Sequence, residues 1–242
     1  MFKKLTLGII SVLILALAAF GVQAQDAIAA GDTVTGELTE DTFAVEYAYE
    51  GTADEVIVIT LAPVDVMGEL GSPAIVVRDA SGTDLVRYDG YGTSNVVVLL
   101  PEDGTYTIVA TRTDDEAGTS VGEYTLNVAA PQELAVGDSV DMTLTSDETN
   151  YFVYRGDAAF VLSYVREGEF APEFTVNTLD TEFTPGSLDT VATVGGKLAT
   201  QGSIGVIPGE QLYVIKVGQA LFDFYFDTVE AKYTLQISEE SN

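Results

Sequence analysis

Apolar and polar residues alternate along most of this chain. Phe43, Val45, Tyr47 and Tyr49 fall on one side of the polypeptide, with Ala44, Glu46 and Ala48 on the other. Ile57, Ile59 and Leu61 repeat the pattern, as do Val96, Val98 and Leu100. Tyr106, Ile108 and Ala110 continue it, and Tyr124, Leu126 and Val128 alternate with Glu123, Thr125 and Asn127. A period of two over a handful of residues marks a strand with one buried face. Turn signals separate these runs: Glu50-Gly51, Ser81-Gly82, Asp89-Gly90, Asp103-Gly104 and Gly118. Nothing after Ala24 carries helical spacing. The pattern predicts about eight short strands between Gly31 and Val128. They are too short and too closely spaced for a parallel sheet with helical crossovers. The expected fold class is all-β: two antiparallel sheets packed face to face in a jelly-roll β-sandwich.

The same message then returns. Gly31-Asp32-Thr33-Val34 reappears as Gly137-Asp138-Ser139-Val140, an offset of 106 residues. Leu100-Pro101-Glu102-Asp103-Gly104-Thr105-Tyr106 reappears as Ile207-Pro208-Gly209-Glu210-Gln211-Leu212-Tyr213, offset by 107. Gly122-Glu123-Tyr124-Thr125-Leu126 reappears as Ala231-Lys232-Tyr233-Thr234-Leu235, offset by 109. So long and constant an offset means two copies of one domain rather than a solenoid. Strands are expected at Val140–Leu144, Tyr151–Tyr154, Phe160–Val165, Phe174–Leu179, Val191–Val194, Ser203–Ile207, Leu212–Val217 and Tyr233–Ile237. The organisation read here is a signal peptide over 1–24, a first sandwich over 25–130 and a degenerate second copy over 131–242. The linker, around Ala129-Ala130-Pro131-Gln132-Glu133, is short, so the two modules are held close.

Composition adds a cellular address. Met1-Phe2-Lys3-Lys4 is a basic start, Leu5 to Ala24 carries no charge, and Val22-Gln23-Ala24 offers the small residues of a cleavage site. A signal helix cleaved after Ala24 is expected, with secretion or cell-surface display following from it. Leu5 to Val22 also approaches the length of a span, so membrane contact is expected only if the segment stays uncleaved. Losing Lys3 and Lys4 with the leader takes the formal charge from −28 to −30. A chain that acidic repels phosphate backbones and anionic lipid, which excludes ordinary nucleic-acid binding. It favours solubility, divalent cations or basic partners, and salt adaptation explains the same acidity. There is no Cys, so each module stands on its own core without disulfides. There is no His either, which removes the commonest general base and zinc ligand.

Few motifs carry chemistry. Gly118-Thr119-Ser120-Val121-Gly122 has the letters of a hydrolase nucleophile elbow. That elbow needs a strand-to-helix turn and a histidine, and here Tyr124-Thr125-Leu126 continues as strand. Asp79-Ala80-Ser81-Gly82-Thr83 resembles a metal-ion-dependent adhesion site, yet a hairpin turn with Gly82 at positive φ explains it. Asp114, Asp115 and Glu116 are the best calcium candidates, because consecutive loop carboxylates crowd negative charge. A solvated acidic loop is the plainer account of them. Tyr88 and Tyr91 flank Asp89-Gly90 and are candidate ligand-stacking residues, or covers for the sandwich edge. Phe222, Phe224, Tyr225 and Phe226 read as a core or inter-module strand.

Gly31-Asp32-x-Val34-x-Gly36-x-Leu38, Phe43-x-Val45-x-Tyr47 and Pro73-Ala74-Ile75-Val76-Val77-Arg78-Asp79 come in a familiar order. Leu100-Pro101-Glu102-Asp103-Gly104-Thr105-Tyr106 and Gly122-Glu123-Tyr124-Thr125-Leu126 complete it. Together they resemble the bacterial pre-peptidase C-terminal domain, a jelly-roll module found beside secreted proteases and on other exported proteins. The likeness covers nearly all of the first copy; the second keeps only the first and last motifs. Ser72 and Ala171 precede Pro73 and Pro172, where the family often has an acidic residue. The resemblance implies assisting secretion, binding collagen-like or other polymers, or taking calcium.

The function expected from all this is a secreted, non-catalytic binding or accessory protein whose partner is an extracellular polymer or surface protein. It is not an enzyme and needs no cofactor, calcium apart. The alternative is a structural component of an envelope or surface layer, bridged by calcium. A hydrolase working with carboxylates alone would require two facing acids in a cleft.

Overall fold

The computed structural model describes residues 25–65, 68–168, 170–179, 188–195, 200–206, 212–219 and 229–239. The expected signal helix and the Phe222–Phe226 aromatic cluster lie outside them. In the first half the strands are β1 (Asp26–Ala27), β2 (Thr33–Leu38), β3 (Ala44–Gly51), β4 (Val56–Pro63), β5 (Pro73–Arg78), β6 (Asp84–Asp89), β7 (Ser94–Leu99), β8 (Gly104–Arg112) and β9 (Gly122–Ala129). In the second they are β10 (Gln132–Leu134), β11 (Ser139–Thr145), β12 (Asn150–Arg155), β13 (Phe160–Gly168), β14 (Glu173–Leu179), β15 (Leu188–Gly195), β16 (Gln201–Val206), β17 (Leu212–Gly218) and β18 (Glu230–Glu239).

Four sheets result, with strand orders β1-β3-β8-β5-β6, β2-β9-β4-β7, β10-β12-β17-β14-β15 and β11-β18-β13-β16. They are sheets A, B, C and D below. Leave aside the short leading strands β1 and β10, and each half interleaves its strands identically. In one sheet the last strand lies between the first and the third, and in the other the seventh lies between the second and the fourth, which is the jelly-roll arrangement. The chain is therefore all-β, two tandem antiparallel jelly rolls. Period-two patterning did not reveal β1 and β10, which pair in parallel with β3 and β12. They are two and three residues long, too short to show a period.

Inward-facing residues fill one core per half. Tyr47, Ile59, Ile75, Val96, Ile108, Tyr124 and Leu126 belong to the first. Phe152, Tyr154, Phe160, Leu162, Phe174, Tyr213, Tyr233 and Leu235 belong to the second. The second core is more aromatic: Tyr164 stacks on Phe174 with centroids 4.2 Å apart, and Phe174 meets Tyr233 edge-on at 5.4 Å.

A third apolar cluster joins the halves. Val56, Val58 and Val97, on the outer face of sheet B, bury against Val153 and Val214, on the outer face of sheet C. Strand β4 is consequently apolar on both faces, Ile57, Ile59 and Leu61 pointing into the first core and Val56 and Val58 into the junction. A strand covered on both sides loses its polar alternation. The Arg155 guanidinium adds a polar tie by donating to the Asp54 carbonyl across the junction. The molecule is a four-layer pile, A on B on C on D.

The registers show how the second copy became fit for this role. Glu46 pairs with Val109, three residues past Tyr106, while Tyr151 pairs with Lys216, three past Tyr213. Arg78 pairs with Thr107 and Asn177 with Val214, each one residue past those tyrosines. Tyr151 and Asn177 thus occupy the places of Glu46 and Arg78, which form a 3.1 Å ion pair on sheet A. Where the first copy faces water with charges, the second faces its neighbour with a phenol, an amide and valines.

Candidate functional site

Four connections of the first sandwich meet at one end: β2 to β3, β4 to β5, β6 to β7, and β8 to β9. Of the candidate site residues, Asp114, Asp115, Glu116 and Tyr91 sit in these connections, and Tyr88 on β6 itself.

Residues 113–121 are held by two arginines. Asp114 and Asp115 take left-handed backbones, φ 64° and 48°, at the start of a short 3-10 turn over Asp115–Ala117. Aspartate tolerates that conformation better than most residues, at a cost other contacts must offset. Arg87 supplies one such contact, donating to both Asp115 carboxylate oxygens at 3.2 and 3.1 Å while its other nitrogens hold Asp89. The Thr111 hydroxyl donates to the same Asp115 carboxylate at 3.2 Å. Arg112, only 2 % exposed, supplies the second. Its Nε donates to the Asp115 carbonyl at 2.8 Å, and its Nη1 to the carbonyls of Thr39 and Ser120 at 3.0 and 3.3 Å. Gly118 lies against this arginine, where an added Cβ would stand 2.1 Å from the Thr113 carbonyl oxygen and 3.2 Å from Arg112 Cγ.

The three calcium candidates are thus not assembled around a common point. Asp115 is engaged by Arg87, and among the described residues no three acidic side chains converge to hold a metal. The Asp79–Thr83 segment is a hairpin turn: Asp79 Oδ1 accepts from the Ser81 amide and hydroxyl and from the Thr83 amide. Those bonds, the Ser81 hydroxyl foremost, hold the Asp79 carboxyl below the usual carboxylate range. Ser120 lies in the connection leading into strand β9, with no helix behind it among the described residues.

Tyr88 and Tyr91 do not form one stacking platform. Tyr88 is half-buried and packs on the first core. Burial first, and the charge of Tyr88 second, push the Tyr151 phenol of the second sandwich up to about 12. Tyr91 stands 88 % exposed on the β6–β7 turn, close beside Gly71. Period-two reasoning placed both tyrosines at a turn, but the turn's geometry sends them to opposite surroundings.

One groove has no counterpart in the sequence pattern. It has a volume of about 470 Å³ and runs between the end of β2, the β4–β5 connection and the start of β9. Glu37, Glu40, Asp65, Glu69 and Glu123 line it, with no Lys or Arg among the lining residues. Its floor is apolar, from the buried Leu38 and Leu70. Val64 ties one wall to the other, its amide donating to the Glu123 carbonyl at 3.0 Å. Such a groove attracts cationic groups, and its closely spaced carboxylates concentrate the field. No single stretch of sequence foretold it, because its five acids come from three separate segments. Compared with known proteins, the chain matches no family model and no curated protein.

Proposed function

We propose that this chain is an exported, non-catalytic binding protein whose first sandwich receives a basic segment of an extracellular polymer or surface protein. The observation that carries this reading is the groove: five carboxylates over a floor of Leu38 and Leu70, on a four-layer scaffold. A Lys or Arg side chain fits both features, laying its methylenes on the floor and its charge among the acids. Tyr91, exposed beside Gly71 next to the groove, offers a ring face to a second cation. The lack of His and Cys anywhere in the chain supports binding over bond-breaking. The jelly-roll strand order of both halves is the fold that the resemblance to the pre-peptidase C-terminal domain implies.

The test is a titration of the protein with octalysine and with octaglutamate at low and high salt. Octalysine is expected to bind, to weaken steeply with salt, and to lose its site in Glu37→Gln/Glu40→Gln/Glu123→Gln. Equal binding to that triple variant would assign the attraction to diffuse acidity and overturn the groove. No binding at low salt would overturn the reading altogether.

A further inference from the structure

Arg112 is the one arginine among the described residues that is buried. Arg78, Arg87 and Arg155 each pair with carboxylates near the surface. Arg112 is buried, and its acceptors are main-chain carbonyls, of Thr39, Asp115, Glu116 and Ser120. Burying a guanidinium is costly unless its donors are met, and here carbonyl dipoles meet them. The expense is local, and so is its effect. Thr39 belongs to the β2–β3 turn, which with Glu40 forms one wall of the acidic groove. Ser120 leads directly into Val121, Gly122 and Glu123, which also line the groove; β9 pairs with β2 as far as Leu38–Gly122, so Thr39 and Ser120 lie just past the last pair of that ladder. One nitrogen, Nη1, donates to both carbonyls.

We infer that Arg112 is a positioning residue of the groove, resting on the reading above: past the end of the β2–β9 ladder it holds the turn that carries Glu40 against the strand that carries Glu123. Neighbouring carboxylates repel, and on unpinned turns they would swing apart into water. A planar fork reaching several carbonyls at once resists that; an ammonium point charge does not. The fixed walls let a cationic ligand bind without first ordering the turns.

The experiment compares Arg112→Lys with Arg166→Lys, whose guanidinium donates in the second sandwich to the carbonyls of Gly168 and Phe170 at 3.1 and 3.2 Å. Octalysine affinity is measured well below the melting temperature, together with amide exchange at Thr39 and along β4. Arg112→Lys is expected to weaken octalysine about tenfold and to speed exchange at Thr39, with β4 still slow. Arg166→Lys is expected to leave affinity unchanged. Unchanged affinity and unchanged Thr39 exchange in Arg112→Lys would overturn the inference. So would equal weakening by Arg166→Lys, which would mark a global effect. Should Arg112→Lys fail to fold, Arg112→Gln is read in the same way. If the unaltered protein does not bind octalysine, the groove reading fails, and Thr39 exchange alone decides whether Arg112 pins the wall.

Discussion

The hydroxyls of Tyr47 and Tyr124 meet at 2.9 Å in the middle of the first sandwich, joining sheet A to sheet B. Each satisfies the other in a place water does not reach, and Tyr124 lies flat over Gly36, its partner across the β2–β9 ladder. A Cβ at Gly36 would stand 2.3 Å from Tyr124 Oη, so only glycine fits beneath the ring. Tyr124→Phe orphans the Tyr47 hydroxyl and is expected to cost about 1–3 kcal/mol by denaturant unfolding. Adding Tyr47→Phe should restore part of that loss, because no buried hydroxyl is then left unmet. A double variant as unstable as the sum of the singles would disprove the coupling.

Gly36→Ala is expected to cost about 1–3 kcal/mol through overpacking. Combining it with Tyr124→Leu should recover stability relative to Gly36→Ala alone. Thermal melts of the three variants check this, and a Gly36→Ala protein melting like the original would show that the ring moves aside freely.

Alkali should unfold the protein by way of its tyrosines. Burial, reinforced by Tyr47, raises the Tyr124 phenol, and burial, reinforced by Glu55, raises Tyr49. Burial pushes Tyr233 up to about 12 from its ordinary 10.0. These groups hold their protons more tightly folded than unfolded. The stability they contribute is therefore complete below pH 10 and is lost as pH rises through 12. Phenolate absorbance followed beside circular dichroism should show a set of tyrosines ionising only as the strands melt. Full ionisation near pH 10 with the sheets intact would refute it.

The junction between the modules should open to a single buried charge. Val214→Asp places a carboxylate in the apolar cluster of Val56, Val58, Val97 and Val153. Small-angle scattering should report a larger radius of gyration, and subtilisin should cut between β9 and β10. Unchanged compactness would mean that the Arg155 tie to Asp54 suffices without the valines.

Calcium gives a sharp contrast between readings. With Asp115 already held by Arg87, added calcium followed by chelator should leave the melting midpoint where it was. A calcium-bridged envelope component would instead melt higher with the ion, since a ligand of the folded state stabilises it.

The strands were legible because alternation survives wherever one face is wet. Tyr124, Leu126 and Val128 alternate cleanly, and β9 follows them. The duplication was legible because turn and core motifs recur at near-constant spacing. The junction was harder: Val56 and Val58 look like extra apolar residues until sheet C is laid against them, and Tyr151 and Val153 give no sign of which face they serve. The acidic groove was hidden for a different reason. Glu37 and Glu123 meet across a ladder, and Asp65 and Glu69 come from another connection, so only folding brings the charges together. Asp114–Glu116 drew attention by adjacency alone, while the partners that occupy that segment, Arg87 and Arg112, lie on strands whose reach no spacing rule gives.

The two outermost walls of the pile are wet. Sheet A ends in Glu46, Arg78, Arg87 and Asp89, bonded to one another and to solvent. By register, sheet D sets Gly205 where sheet B has Val97, but keeps Val161 where sheet B has Val58. A third jelly roll laid on sheet A would find ions instead of a valine floor. Sheet A thus closes the column on its own side: a further copy of the unit would meet charge there, where sheets B and C meet through valines.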